Sequence, residues 1–543
     1  MRFDSISLPA ANRLTQAYLT GDPQVARLFS YRPFQLASYR ERLAWLEQRA
    51  YPHRDRLADG LLAYNRRIDN HPAAQAAIEK LRDTHTYVIV GGQQPSVLTG
   101  PLYTVHKALS LIQTARYLTR ALDRQIVPVF WIAGEDHDLA EMNHVYLPVE
   151  AGPPQKQKLP LPVHGRVSAS MLPVERESMI RFAEQFFAAH TETPYTNDLR
   201  QVAIACAEQS DTLADWFARL MARLFGKHGL ILLESSLPFV RELEQPVFRD
   251  VLENNEQIAS LLRVQEQTIR RLGYPPQLAL TDDQAHLFLY QRGERHLLLR
   301  SGGHFAIKGG QRLFSRDELL QLLAEDPQQF SANVVTRPLM QERLLPTLAF
   351  IGGPSEIAYW AFYREYFAHF GCQLPVVQPR TSLTFIDGAI ARLLEQFGLS
   401  AEEALRDFPH WQQRWEKGLL PSGLNERFAQ ARRSIEQLYQ PLVEEVSRID
   451  PGLRKLAAKN LQILLDQVRF LEQRTERSIL AQHETARRRI ARIEAALLPF
   501  GQLQERTYNI FSFLNKYGCD LLDRLAEAEL PFDATHKLIY LQA

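Results

Sequence analysis

Tyr87-Val88-Ile89-Val90-Gly91-Gly92-Gln93-Gln94-Pro95-Ser96-Val97-Leu98-Thr99-Gly100-Pro101 is the stretch whose reading decides the fold. Its first four residues are apolar and largely β-branched, as in a buried strand. Gly91 and Gly92 then permit a sharp turn and close approach of a ligand to the backbone. From Leu102 the period changes. Val105, Ala108, Leu109, Ile112 and Ala115 fall on one helical face, and Tyr103, His106, Lys107, Ser110 and Gln113 on another. A strand, a polar glycine-rich loop and a helix with His and Lys near its start predict the anion-binding corner of an open α/β sheet. The plainer reading is a surface helix after a turn.

Four further runs fit the same sheet. Ile126 to Ala133 ends at Gly134 and leads straight into Glu135-Asp136-His137-Asp138. Gly229 to Glu234, Thr347 to Ile351 and Pro375 to Arg380 complete the set, with helical stretches between them. Strands alternating with helices predict a mostly parallel, doubly wound sheet with insertions. Gly352-Gly353-Pro354-Ser355-Glu356 forms a second glycine turn into a helix, with Pro354 suited to the first helical position and Glu356 to the first turn.

Around this core, residues 1–84 read as an N-terminal helical segment, with helices over Arg40 to Glu47, Arg54 to Arg67 and Pro72 to Arg82. Asn70 is the candidate N-cap of the third. The core spans 85–386, with insertions near 148–228 and 275–335. Leu147 to Val167, rich in Pro, Gly and Lys, is an excursion, followed by helices over Val174 to Ala189 and Leu199 to Phe225. A long helical segment then runs to Leu272. Leu278 to Leu280, His286 to Tyr290, His296 to Arg300 and His304 to Ile307 predict an antiparallel meander turning at Arg292-Gly293-Glu294 and Ser301-Gly302-Gly303. Ser315-Arg316-Asp317-Glu318 is a capping box, and Asp138-Leu139-Ala140-Glu141 resembles one.

Residues 387–500 are helical. Phe428, Ile435, Leu442 and Ile449 recur every seven residues before Asp450-Pro451-Gly452, and Leu456, Ile463 and Phe470 resume the spacing in a run to Leu498. That predicts an antiparallel coiled-coil hairpin whose stripe pairs internally or with a second copy; a homodimer is the expectation. Residues 501–543, aromatic and amide-rich at first, are expected to dock on the core.

Composition excludes several function classes. Among 543 residues, 63 Lys+Arg oppose 62 Asp+Glu, so net charge gives no support for nucleic-acid or membrane-surface partners. Cys206, Cys372 and Cys519 are far apart and share no metal-ligand spacing, which fits a reducing compartment. The first residues lack a signal-peptide core, and no window approaches the ~20 apolar residues of a membrane span. The expected location is the cytoplasm. Neither Gly-x-Gly-x-x-Gly nor a phosphate-loop motif follows the first strand. His137 and His144, with Asp136, suggest a divalent-metal reading without a full ligand signature, so no metal is expected.

Gly91-Gly92-Gln93-Gln94, Thr99 to Lys107, Phe130 to Asp138, Asn333-Val334-Val335-Thr336-Arg337-Pro338, Gly352 to Trp360, Leu503-Gln504-Glu505-Arg506 and Asn515-Lys516-Tyr517-Gly518 together resemble the bacillithiol-biosynthesis cysteine-adding enzyme family, BshC. The blocks keep the family's order over nearly the full chain. The resemblance implies a Rossmann-type core with connecting-peptide insertions like those of class I aminoacyl-tRNA synthetases, plus a dimerising coiled coil. It implies a ligase adding cysteine to the amine of glucosaminyl-malate, with ATP or another nucleotide activating the carboxylate. The synthetase signatures His-x-Gly-His and Lys-Met-Ser-Lys-Ser are absent.

The candidate residues follow. His106, Lys107, Asp136 and His137 are the catalytic candidates: Lys107 and His106, with amides near Gly100, to hold developing negative charge, and Asp136 or His137 for proton transfer. Gln93, Gln94, Tyr103, Glu135, Asn143, Arg337 and Tyr359 are substrate-binding candidates, with Glu135 or Asp136 to take an ammonium. Gly91, Gly100, Gly352, Gly353, Glu356, Arg506 and Lys516 are candidates for the nucleotide. A metal-dependent hydrolase built on the Glu135–Asp138 cluster and a non-catalytic coiled-coil scaffold are the alternatives.

Overall fold

The computed structural model describes residues 1–149, 152–161 and 165–541. It resolves into two compact units. One comprises residues 1–148, 154–385 and 502–543, the other 149–153 and 386–501.

The first unit is built on five parallel strands: β1 (Thr86–Gln93), β2 (Gln125–Ile132), β3 (Ile231–Glu234), β4 (Thr347–Gly352) and β5 (Val376–Pro379). Their order is β5-β4-β1-β2-β3. The chain winds outward from β1 in one direction through β2 and β3, then crosses back to lay β4 and β5 on the other side. The crevice at the carboxyl ends of β1 and β4 is therefore the topological switch point, where such sheets bind ligands.

Strand alternation explains why these runs are apolar throughout. Along β1, Tyr87 and Ile89 join one core, while Val88 and Val90 join the other. Phe130 and Ile132 of β2 face the first core, and Val129 and Trp131 the second. On the first face lie α1 (Leu102–Leu122) and the helix Leu213–Phe225, which bring Val105, Leu109, Trp216 and Phe217. On the second lie Arg54–Arg67 and Pro238–Glu253, with Leu57, Leu61, Val240 and Phe248. Each fully buried Val or Ile contributes about 1.5–3 kcal/mol.

The meander forms, with adjustments. Gln284–Gln291, Glu294–Ser301, His304–Ile307 and Leu313–Phe314 run antiparallel, and Phe330–Ala332 pairs with the first of them. Arg292 and Gly293 at φ 54° and 80°, and Gly302 and Gly303 at 55° and 82°, form the two-residue turns that match strand twist. The Leu278 to Leu280 strand does not form; that segment is a loop beside the cavity described below.

Other expectations need correction. Asn70 does not cap the third helix: His71 does, accepting from the Ala73 N–H, while Asn70 is buried and donates to the Leu230 carbonyl. Asp138 opens only the single turn Leu139–Met142 and makes no capping bond. The helical stretches ending at Phe225 and Leu272 each contain a break, at Gln209 to Thr212 and at Asn254. Of the excursion, Gln155–Lys158 pairs antiparallel with His144–Leu147, while residues 150, 151 and 162–164 lie outside the described residues. Ser315 forms its capping box with Glu318 as expected. The segment after 501 docks on the sheet unit through Asn509, which donates to the carbonyls of Leu98 and Gly100 at 2.6 and 2.7 Å.

In the second unit, Leu424–Ile449 and Arg454–Gln482 form the hairpin about Pro451–Leu453, and Arg432 pairs across it with Glu472. The later run breaks at His483, so Glu484–Leu497 is a separate helix. Among the hairpin's described residues only Val443 and Leu465 are buried. Leu442, Ile449, Leu456, Ile463 and Phe470 stay 50–78% exposed. No helix of the described residues is long and apolar enough to cross a membrane.

Candidate functional site

A cavity of about 780 Å³ opens at the switch point, lined by residues from β1, β2, α1, the turn and helix that follow β4, and the meander. Backbone crowding explains its glycine floor. A Cβ on Gly92 would lie 2.0 Å from the Trp131 carbonyl oxygen, so no other residue fits between β1 and β2.

Gln93, Gln94, Tyr103, Lys107, Glu135, Asp136, His137, Arg337, Gly353, Glu356, Tyr359 and Arg506 all line this cavity. Six of the predicted residues do not. Gly91 is pressed against the Ile351 backbone, Gly100 sits at φ 70° under Asn509, and Gly352 packs on Phe350. Asn143 is buried beneath the β-ribbon, its carbonyl accepting from Leu159 N–H. Lys516 lies on the surface of the helix Ile510–Tyr517, beside Tyr517. His106 is fully enclosed.

His106 and Lys107 part company because consecutive helical residues are about 100° apart. Lys107 reaches the cavity wall, where its Nζ donates to Glu356 Oε2 at 2.5 Å, Gly92 O at 2.5 Å and Gln93 Oε1 at 3.1 Å. All three of its protons are taken. Burial pushes the Lys107 ammonium below its ordinary value, and Glu356 only partly offsets this. Burial raises the Glu356 carboxyl, but Lys107 and the Gly353 N–H, 2.8 Å away, outweigh it and leave it below the ordinary carboxylate range. Tyr359 OH completes the group by accepting from Arg337 at 2.7 Å.

His106 turns inward, its Nδ1 donating to Glu505 Oε2 at 3.0 Å. Arg380 grips the same carboxylate with both NH groups, at 2.7 and 2.6 Å, and Ser382 adds a hydroxyl at 2.9 Å. Burial alone would raise the Glu505 carboxyl, yet Arg380 and His106 hold it well below its ordinary value. Burial also lowers His106, outweighing Glu505, so the ring is neutral near pH 7 with Nε2 left as an unpartnered buried acceptor.

At the other end of the cavity, Asp136 accepts from Gln94 Nε2 at 2.7 Å and from the Asp138 N–H at 3.1 Å. His137 is lowered by burial and then by Arg295, whose NH1 lies 3.3 Å from its Nδ1. Arg295 stacks 3.7 Å above Phe288 and donates to Ser331 Oγ and Ala332 O. Its Nε, NH1 and NH2 thus each have a protein partner, which fixes the plane of the guanidinium. His144 lies apart, on the ribbon, with Nδ1 at the Ala140 carbonyl. Among the described residues, no group of three or more His, Cys, Asp or Glu side chains is placed to hold a metal ion.

Five cations (Lys107, Arg295, Arg337, Arg380, Arg506) and four acids (Glu135, Asp136, Glu141, Glu356) line one cavity. That lining suits a ligand carrying both carboxylate and amine. The corner predicted for nucleotide phosphates fits them poorly: Glu356 occupies the Gly353 N–H, and Gly91, Gly100 and Lys516 are elsewhere. Arg295, Arg380 and Glu505 were not among the sequence's site candidates. Arg380 carried a signal in its place at the carboxyl end of β5, and Glu505 in the Leu503-Gln504-Glu505-Arg506 block.

The sequence model of the bacillithiol biosynthesis BshC N-terminal Rossmann-like domain matches residues 1–381, and that of the BshC C-terminal coiled-coil domain matches 383–541. A relative from Geobacillus kaustophilus, described as "Putative cysteine ligase BshC", is 39% identical over all of both chains. One from Bacillus cytotoxicus with the same description is 35% identical, again over the whole of each. A solved structure from Campylobacter jejuni, described as a "putative arginyl t-RNA synthetase", matches over 80% of this chain and 99% of its own at 9% identity and a TM-score of 0.22, too slight a likeness to bear on the fold.

Proposed function

Because the chain belongs to the bacillithiol biosynthesis BshC family, we propose that it is a ligase joining the carboxyl of cysteine to the glucosamine amine of glucosaminyl-malate, the step that completes bacillithiol. The observation that carries this reading is the mixed lining of the switch-point cavity, with fixed cations and fixed carboxylates facing one space. Cysteine presents an ammonium beside the carboxyl that reacts, and the co-substrate presents an amine beside two carboxylates.

In this reading Glu135 takes the cysteine ammonium, since its Oε2 is held by Arg241 and Oε1 is left for a ligand. Asp136 has both oxygens occupied and serves to orient Gln94, which with Gln93 meets neutral hydroxyl and amide groups. Arg295, Arg337 and Arg506 receive malate carboxylates. When the amine attacks, negative charge grows on the carbonyl oxygen and a proton must leave nitrogen. His137 accepts from Arg295 through Nδ1 and so holds that guanidinium at the cavity wall, and the amine's proton passes to solvent in the cavity; Lys107 is a positioning residue that keeps Glu356 and the Gly92 carbonyl in register. His106 positions Arg380 through Glu505.

Amide formation needs an activated carboxyl, and ATP is the proposed activator; no residue role above depends on it. The test is the purified protein with cysteine, glucosaminyl-malate and ATP, followed by mass spectrometry. Appearance of the coupled thiol only with all three is the expected result. No product under any nucleoside triphosphate overturns the reading.

The exposed hairpin stripe supports a second proposal, a homodimer through Leu442, Ile449, Leu456, Ile463 and Phe470. Light scattering is expected to give twice the chain mass at micromolar concentration; a monomer rules it out. A reducing cytoplasm is the proposed location, in keeping with three free cysteines, two of them buried.

A further inference from the structure

Behind Glu135 the cavity wall holds a buried row of charges that the reaction outlined above does not use. Arg241 and Glu244 stand one turn apart on the helix Pro238–Glu253, each 1% exposed. Arg241 NH2 donates to Glu135 Oε2, and its NH1 donates to Glu244 Oε2 at 2.9 Å. Glu244 Oε1 is shut away with no partner. Glu234, ending β3, accepts the Ser236 N–H and hydroxyl at 3.0 and 2.6 Å. Burial pushes Glu244 to about 8 and Glu234 to about 7. Near neutral pH both carboxyls therefore carry much of a proton, and the guanidinium charge is directed to Glu135.

We propose that Arg241 is a positioning residue that holds Glu135 at the cavity wall as the receptor for the primary ammonium of the acyl-donor substrate. The identity of that substrate, cysteine, rests on the ligase reading. The geometry is specific to arginine: two NH groups of one planar fork reach two carboxylates on different elements, which an ammonium does with less directional control. Charge balance points the same way. Removing one partner of a buried pair leaves the other uncompensated, and Glu135 then meets its remaining neighbours, Glu234, Glu244, Tyr290 and the more distant Arg337. Without the guanidinium fork, Glu135 Oε2 has no donor and the carboxylate is no longer held with its other oxygen toward the cavity.

The test compares cysteine with 3-mercaptopropionate, the same acid lacking the amine, in full-length wild type, Arg241→Met, Arg241→Lys and Glu135→Gln. Arg241→Met and Glu135→Gln are expected to reduce the cysteine preference, as a ratio of kcat/KM values, by about tenfold at pH 7. The loss falls mainly on KM for cysteine. Arg241→Lys, which restores the charge but not the fork, recovers only part of the preference. If Arg241→Met fails to fold, Glu135→Gln and Arg241→Lys decide by the same ratio. Folded variants that keep the wild-type ratio, or lose kcat without a change in KM, overturn the inference while the ligase reading stands. A wild type that couples neither acid removes the ligase reading, and this inference with it.

Discussion

Two neighbours on α1, Lys107 and His106, are both buried, both charge-linked and yet differently employed. Lys107 ends at the cavity, tying β1 to the helix after β4 through Glu356. His106 ends in the interior, tying α1 to Arg380 and Ser382 through Glu505. The first network reaches the cavity through Lys107 and Glu356 themselves; the second reaches it only through Arg380, with His106 and Glu505 behind the wall. Adjacent positions and similar chemistry thus separate into a group read by activity and a group read by stability.

The largest effect is expected from the second network. Glu505→Gln strips the counter-charge from a buried Arg380 and should cost about 3–5 kcal/mol of stability, seen as a lower denaturation midpoint. A shift under about 1 kcal/mol would mean that Arg380 finds water, and that the wall is looser than its distances imply.

Lys107→Met probes the other side. It is expected to lower kcat/KM for thiol formation by at least ~10-fold, about 1.4 kcal/mol of barrier, with a smaller change in unfolding than Glu505→Gln. His106→Asn should show the reverse ranking: a stability loss of about 1–3 kcal/mol and a kcat/KM within about threefold of wild type, under 1 kcal/mol. Equal activity losses in the two variants would erase the distinction drawn here.

The smallest effect is a slope. Burial lowers His106, and takes His286 and His536 to about 4. A histidine lowered in the folded state binds fewer protons there than when unfolded, so stability falls as pH drops below 6.5 and continues to fall until the folded value is passed. Each contributes about 1.4 kcal/mol per pH unit within that window. Glu505, lowered in the folded state, stabilises above its unfolded value and is lost further into acid. His536→Gln should flatten the curve between pH 6.5 and about 4 by one histidine's share, as followed by thermal unfolding.

How much of this was legible in the sequence depends on the reach of the cause. The five strands and α1 were readable because their signals are local: a run such as Val88-Ile89-Val90, then glycines, then a change of period. Arg292-Gly293 and Gly302-Gly303 were readable for the same reason. Arg241 and Glu244 were not, since charges three apart on a helix have the pattern of a solvated face, and only packing against Glu135 shows them to be interior. Asn70 looked like a cap because caps are local, whereas its use, the Leu230 carbonyl, lies 160 residues away. His106 sat on the expected polar stripe, but its partner came from a segment no period connects to it.

That partner also sets a timetable. Glu505 is joined to the chain 399 residues after His106 and 125 after Arg380. At synthesis rates of about 5–20 residues per second, His106 waits on the order of 20–80 s for its carboxylate. During that interval β1 and α1 can pair, but their wall is open and the Arg380 guanidinium has no counter-charge. Only between Pro379, where β5 ends, and Glu505 does the nascent protein carry all five strands and an unfinished site, about 6–25 s at the same rate, a window in which chaperones have something to hold.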